Sequence, residues 1–380
     1  MTTAASSSPT APSSTPTAKP AEKLFSVDSH VFFTDDWVTA RLPERLRQKY
    51  IDGNKDFQKA SLAKRGGWTP DIVDLFDPEA WNDPGHYEPN AKLKSMDRDG
   101  VYAEVIFPEV SGTRVCTPEV MGDDWKPMLS GFNEAMADFA SVNPDRLMCA
   151  YQLLPFDIEA SILELERVAK RGARCFQLPP FPSELGLKEY FDRSYDPLWA
   201  RLQEMGLTVL QHLDTTEKSY EQMRRDPTPQ RAVALGLTSM QLAEPLSFWI
   251  LSGTLERFPK LKVIFVEPGL GWLPFLFDTV LDGRILQGHY KFPELTMLPS
   301  EYFKRQMGAT FMYEPVGLKA AYEYFGPDVL FWSTDFPHPA TSWPNSRALI
   351  EKQFSAAGIS GEDRHKILCA NGERMFAHRN

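Results

Sequence analysis

From residue 24 onward the chain alternates short, nearly continuous apolar runs with longer stretches in which apolar residues recur every three or four positions. The first pattern belongs to strands buried on both faces and the second to amphipathic helices, so together they predict βα units around a parallel sheet. Eight runs qualify as strands: 24–29, 103–107, 147–153, 174–178, 208–212, 262–267, 310–313 and 329–334. Eight parallel strands close a (β/α)8 TIM barrel. Between them, Leu163, Leu165, Val168 and Ala169 form a stripe that stops at Gly172. The stretch 195–205 stops at Gly206, 247–258 at Pro259, and 317–325 at Gly326 and Pro327. Helix, stop residue, strand is the punctuation of one βα array, and it predicts a single distorted barrel over 23–380. Residues 362–376 read as helices against that barrel, with a break at Asn371-Gly372.

Three stretches interrupt the order, at about 31–90, 215–243 and 283–299. Loops this long between βα elements are insertions, and those that follow strands belong over the C-terminal mouth, where barrel active sites sit. Residues 1–22, rich in Ser, Thr, Pro and Ala, read as a disordered tail without the apolar centre of a secretory signal.

Composition narrows the partners. With 380 residues, 42% hydrophobic content and a net charge of −10, the chain can bury a large core and has no basic block for nucleic acid. No run of about 18 apolar residues suggests a membrane span. Cys116, Cys149, Cys175 and Cys369 lack metal-ligand spacing and sit among apolar neighbours. They predict buried free thiols and a cytoplasmic location.

Candidate chemistry lies where the apolar runs end. The first ends in Asp28-Ser29-His30, where a period of two puts Asp28 and His30 on one side of a strand. The fifth ends in His212 and the eighth runs into Asp335. Two carboxylates and two imidazoles converging from three strands suit one divalent ion, most readily zinc.

These residues resemble the metal-dependent amidohydrolase superfamily, and in particular its branch containing aminocarboxymuconate semialdehyde decarboxylase. The supporting segments are 96–101 (MDRDGV), 143–146 (NPDR), 267–274 (EPGLGWLP) and 333–339 (STDFPHP). The resemblance implies a distorted (β/α)8 barrel holding one divalent ion, zinc or manganese, on Asp28, His30, His212 and Asp335. It implies reactions that are hydrolyses or non-oxidative decarboxylations of small, often aromatic or unsaturated acids. Asp335 would double as general base. Relatives often pair, which adds a homodimer or larger homo-oligomer to the expectations. Decarboxylating relatives typically carry His at the end of the sixth strand, where this chain has Glu267, and many carry His or Glu where it has Asp28.

That departure puts a metal-dependent hydrolase first, acting on a small-molecule substrate through an activated water with Asp335 as base. A carboxy-lyase is the alternative, and a barrel that only binds is the third reading. Glu267 is expected either at the reaction or capping a helix that starts near Gly271, and His338 either polarises the substrate or orients Asp335. Phe32, Trp37, Trp68, Phe336 and Trp343 are the candidate aromatic contacts, and Arg41 and Arg65 candidate partners for a substrate carboxylate.

Overall fold

A computed structural model describes residues 22–69, 76–109, 114–289, 291–292 and 294–376. The predicted tail, except Glu22, and His378 lie outside the described residues. Among the described residues nine strands are formed: β1 (Leu24–Ser26), β2 (His30–Val31), β3 (Val101–Pro108), β4 (Leu147–Gln152), β5 (Cys175–Gln177), β6 (Thr208–His212), β7 (Lys262–Val266), β8 (Met307–Phe311) and β9 (Leu330–Trp332). All pairs are parallel, in the order β1-β3-β4-β5-β6-β7-β8-β9, with β2 also beside β3. The sheet closes where Val27 N–H donates to the Trp332 carbonyl (3.0 Å), Asp335 N–H to Asp28 (3.0 Å) and His30 N–H to Phe336 (2.7 Å). This is a (β/α)8 TIM barrel.

The expected first strand, 24–29, is therefore two short pieces. After β1 the Ser26 hydroxyl donates to the Asp28 carbonyl (2.7 Å), and residues 27–30 bond to 332–336 instead of extending one ladder. That seam holds Asp28 and His30 against Asp335.

Inside the barrel, Phe25, Val105, Ala150, Leu210, Ile264 and Phe331 pack as one cluster, and Cys369 and Phe376 from the C-terminal helices join it from below. Gly372 allows this: a Cβ there would lie 2.5 Å from the Phe25 ring. The expected break at Asn371-Gly372 is absent, because 361–376 runs on helically through a π turn at Lys366–Ala370. Asn371 instead donates from Nδ2 to the carbonyls of Pro327 (2.8 Å) and Leu330 (2.9 Å). A turn-forming pair is overruled here by tertiary contacts.

The outer helices follow the sequence pattern. Ile158–Ala169 is capped by Asp157 and buries Leu165 and Val168, whereas Leu163 of the expected stripe faces solvent, and Asp196–Met205 ends at Gly206 with φ 65°. The stretch 247–258 differs, forming Ala243–Leu251 and Thr254–Arg257 separated by Gly253 with φ 74°. The first insertion carries the 21-residue helix Glu44–Lys64, and the second carries Glu217–Arg225 and Ala232–Thr238. They brace each other: Ser61 Oγ meets Tyr220 Oη (3.1 Å), Arg224 donates to the Lys64 carbonyl (2.6 Å), and Lys64 pairs with Glu217. The four cysteines are buried and form no disulfide. Among the described residues no helix is long and apolar enough to cross a membrane.

Candidate metal centre and active site

Parallel strands deliver their last residues to one rim, so side chains distant in sequence meet there. His30 Nε2 lies 3.4 Å from Asp28 Oδ1 and 3.3 Å from Asp335 Oδ1, and His212 Nε2 lies 3.4 Å from Asp28 Oδ1. Glu267 stands 3.9 Å from His212 Nε2. All four residues expected to ligate a metal, together with Glu267 and His338, are thus brought into one cluster.

The polar atoms in this cluster are arranged for a cation. Asp28 Oδ1 and Oδ2, His30 Nδ1 and Nε2, His212 Nε2, and Asp335 Oδ1 and Oδ2 are buried and accept or donate no protein hydrogen bond. Unsatisfied buried polar atoms each cost about 1–3 kcal/mol, and clustering seven of them is intelligible only if something else satisfies them. His212 Nδ1 donates to the Leu213 carbonyl (2.6 Å), which turns Nε2 to the centre, where a cation can take the place of its proton. Oxygen and imidazole nitrogen donors in this number fit a divalent ion such as manganese or zinc.

The charges agree. Burial opposes ionisation of Asp28, but His212 and His30 outweigh it and hold the carboxyl below its ordinary value. Burial likewise opposes Asp335, and His338 and His30 hold it well below the usual carboxylate range. Burial would lower His212, yet Asp28 and Glu267 push it up to about 9. Burial together with Asp335 raises Glu267 well above its ordinary value. The centre is rich in negative charge and draws positive charge to itself.

Two of its carboxylates sit on strained backbone. Glu267 has φ 62° and Asp335 φ 54°, a left-handed conformation costing non-glycine residues about 1–3 kcal/mol each. Tertiary bonds impose it: Glu267 N–H donates to Thr310 Oγ1 (2.9 Å), and Asp335 N–H to the Asp28 carbonyl. Glu267 does not cap the following segment. Glu314 does so, accepting from Leu270 N–H (2.9 Å) and Gly271 N–H (3.2 Å).

One partner escaped the sequence reading. Glu109 Oε1 accepts from His338 Nε2 (2.9 Å) and lies 3.6 Å from His30 Nδ1, while His338 Nδ1 faces Asp335 Oδ1 at 3.0 Å. Glu109 therefore stands behind two imidazoles that both reach Asp335. It follows the β3 run directly, so the rule that found the other residues, a polar group at a strand end, would have found it had the strand been drawn to Pro108.

The aromatic candidates separate. Phe32 meets His338 edge to face (ring centroids 6.1 Å) and lines a cavity of about 430 Å³ that reaches the centre at Glu109. The other four do not line that cavity. Trp37 stacks on Phe33 and donates to the Ala135 carbonyl (3.1 Å), with Arg41 over its ring and paired to Asp138. Trp68 donates to the Pro229 carbonyl (3.1 Å) and ties the two insertions together. Phe336 and Trp343 pack on each other (5.1 Å), and Trp343 donates to the Ser95 carbonyl (3.0 Å). A large aromatic fraction fills cores as readily as pockets, and sequence alone does not sort the two.

A family profile described as amidohydrolase matches residues 27–377. The chain belongs to the amidohydrolase family. Solved structures agree in fold at low identity. An amidohydrolase from Mycobacterium avium subsp. paratuberculosis K-10 superposes with TM-score 0.71 and 20% identity, covering 94% of this chain and 98% of that one. The 5-carboxyvanillate decarboxylase of Sphingomonas paucimobilis gives TM-score 0.69 and 20% identity over 94% and 99%. A dihydroxybenzoic acid decarboxylase from Polaromonas sp. JS666, with bound manganese and 2-nitroresorcinol, gives 0.67 and 18% over 94% and 97%. This amidohydrolase thus shares its barrel with enzymes that act on aromatic acids.

Proposed function

We propose that the chain is a metal-dependent carboxy-lyase that decarboxylates a small aromatic or unsaturated acid without oxidation. The observation that carries this reading is the set of unsatisfied ligand atoms on Asp28, His30, His212 and Asp335 beside a cavity with aromatic walls. Two of the three solved neighbours named above decarboxylate aromatic acids, one of them with manganese bound, and this supports decarboxylation over the hydrolysis expected first. Asp28, His30, His212 and Asp335 would hold one divalent ion, manganese or zinc. Bound there, the ion supplies Lewis-acid stabilisation of negative charge developing on the substrate.

The remaining work falls to side chains. Decarboxylation breaks a carbon–carbon bond and leaves its electron pair on carbon, which must take up a proton. Asp335 and His338, 3.0 Å apart, are the pair that holds this proton at His338 Nδ1 or Asp335 Oδ1. Glu109 fixes the ring by accepting from Nε2. Phe32 and Phe76 pack edge to face on His338 and cover part of its ring.

Hydrolysis is the second reading. Glu267 favours it, because its carboxyl beside the centre is a candidate base for an attacking water. Chain loaded with manganese or zinc and offered hydroxybenzoates in deuterated water separates the two. Decarboxylation yields carbon dioxide equal to the acid consumed and deuterium at the vacated carbon. Cleavage of ester, amide or ketone substrates with oxygen-18 uptake from water, and no carbon dioxide from any acid, would overturn the proposal.

A further inference from the structure

The motif at 96–101 supplies nothing to the metal cluster, yet it ends a helix that grips the stretch carrying Asp335 and His338. That helix, Pro89–Asp99, is capped by Glu88 and stops at Gly100 with φ 75°. Helices packed on a barrel ordinarily turn an apolar stripe inward. Here Lys92, Ser95 and Asp99, spaced three and four apart on one face, are polar and buried. All three hold the residues that follow the last strand. Lys92 Nζ lies 4.5 Å from the Phe336 ring centroid, the Ser95 carbonyl accepts from Trp343 Nε1 (3.0 Å), and Asp99 accepts from Ser346 N–H (2.9 Å) and its hydroxyl.

Lys92 is the costly member of the three. Its side chain is 1% exposed and that of Glu104, on β3, 3%, with Nζ 2.9 Å from Oε2. A buried pair of this kind recovers its desolvation poorly, and apolar residues of similar volume in its place are often as stable or more so. Stability therefore does not account for it. Among the described residues the ammonium makes no hydrogen bond beyond this pair, and it sits over the face of Phe336, an attraction that strengthens where water is excluded.

Phe336 can pass that hold to the metal centre. It follows Asp335 directly, and its carbonyl accepts the His30 N–H (2.7 Å). Its ring is held between Lys92 and Trp343. Asp335 sits at φ 54°, and a strained residue keeps such a conformation only when its surroundings impose it.

We infer that Lys92 is a positioning residue of the metal centre: paired with Glu104, it pins the ring of Phe336 and through that residue sets the backbone of Asp335 and His30. The inference rests on the proposed function in taking these two as metal ligands, and metal affinity tests it without turnover.

The test replaces both charges at once by unbranched apolar chains, Lys92→Met with Glu104→Met, in the full chain. The unfolding midpoint should stay or rise, whereas manganese affinity, read by calorimetry, should fall about tenfold or more, as when groups that orient metal ligands are removed. Phe336→Leu, which keeps the pair but removes the ring face, should weaken manganese by a similar factor. Because both changes break one contact, combining all three substitutions should deepen the loss by less than about twofold, whereas independent effects would multiply. Manganese affinity within about twofold of the parent in a folded double variant would overturn the inference. So would losses that multiply, or a double variant too unstable to fold, which would make the pair a structural one. A chain that loses manganese as expected but releases no carbon dioxide from any acid leaves Lys92 its role and counts against the carboxy-lyase.

Discussion

The two ends of the barrel solve opposite problems with the same strands. At the N-terminal end long polar side chains bind backbone carbonyls: Arg146 donates to those of Tyr102 (2.8 Å) and Val101 (3.1 Å), and Gln306 Nε2 to those of Phe258 (2.8 Å) and Leu261 (3.2 Å). The apolar interior is plugged there by Phe376 against Phe25. At the C-terminal end seven buried polar atoms have no hydrogen-bond partner, and Glu267 and Asp335 sit on left-handed backbone. The closed end stabilises the fold, and the open end holds unsatisfied polarity and strain that a ligand can relieve.

Mutations can break or sharpen this contrast. The largest effect is expected from His212→Ala, which should lower turnover by about 10³-fold or more and strip the metal, while circular dichroism shows an intact barrel. Normal metal content in that variant would remove His212 from the ligand set. Phe376→Ala should do the reverse. Truncating this fully buried ring should cost about 3–5 kcal/mol in denaturant unfolding, with turnover per folded molecule unchanged. A comparable loss of turnover would show that the two ends are not independent. Glu109→Gln is expected to lower turnover or metal affinity about 10–100-fold with little change in stability, as for other groups that orient ligand imidazoles. The altered His338 ring should also be visible in its nitrogen chemical shifts. Smaller still, Trp68→Ala should cost about 1 kcal/mol of stability through the lost hydrogen bond between insertions, with less than tenfold change in turnover. A larger change would mean that Trp68 belongs to the substrate site.

Removing the metal tests the open end as a whole. Chelation should abolish activity and lower the unfolding free energy, by about 2.7 kcal/mol if the ion had been present at a hundred times its Kd. Added manganese or zinc should restore both. Stability unchanged by chelation would mean that these four side chains are not satisfied by an ion.

Local pattern carried the barrel because it is a repetitive fold whose signals are local. Apolar runs, helical stripes and glycine stops at Gly172, Gly206 and Gly326 needed no knowledge of distant contacts, and Asp28, His30, His212 and Asp335 lay where those runs end. Their meeting within hydrogen-bonding reach, and the role of Glu109 behind His30 and His338, depended on how the strands close. So did the capping by Glu314 in place of Glu267 and the continuity of the helix through Asn371-Gly372. Among the aromatics the sequence determined only that many rings must be buried. Tertiary structure decided that Phe32 faces the cavity while Trp37, Trp68, Phe336 and Trp343 pack elsewhere, because a ring's burial energy is nearly indifferent to whether a core or a pocket supplies the contact.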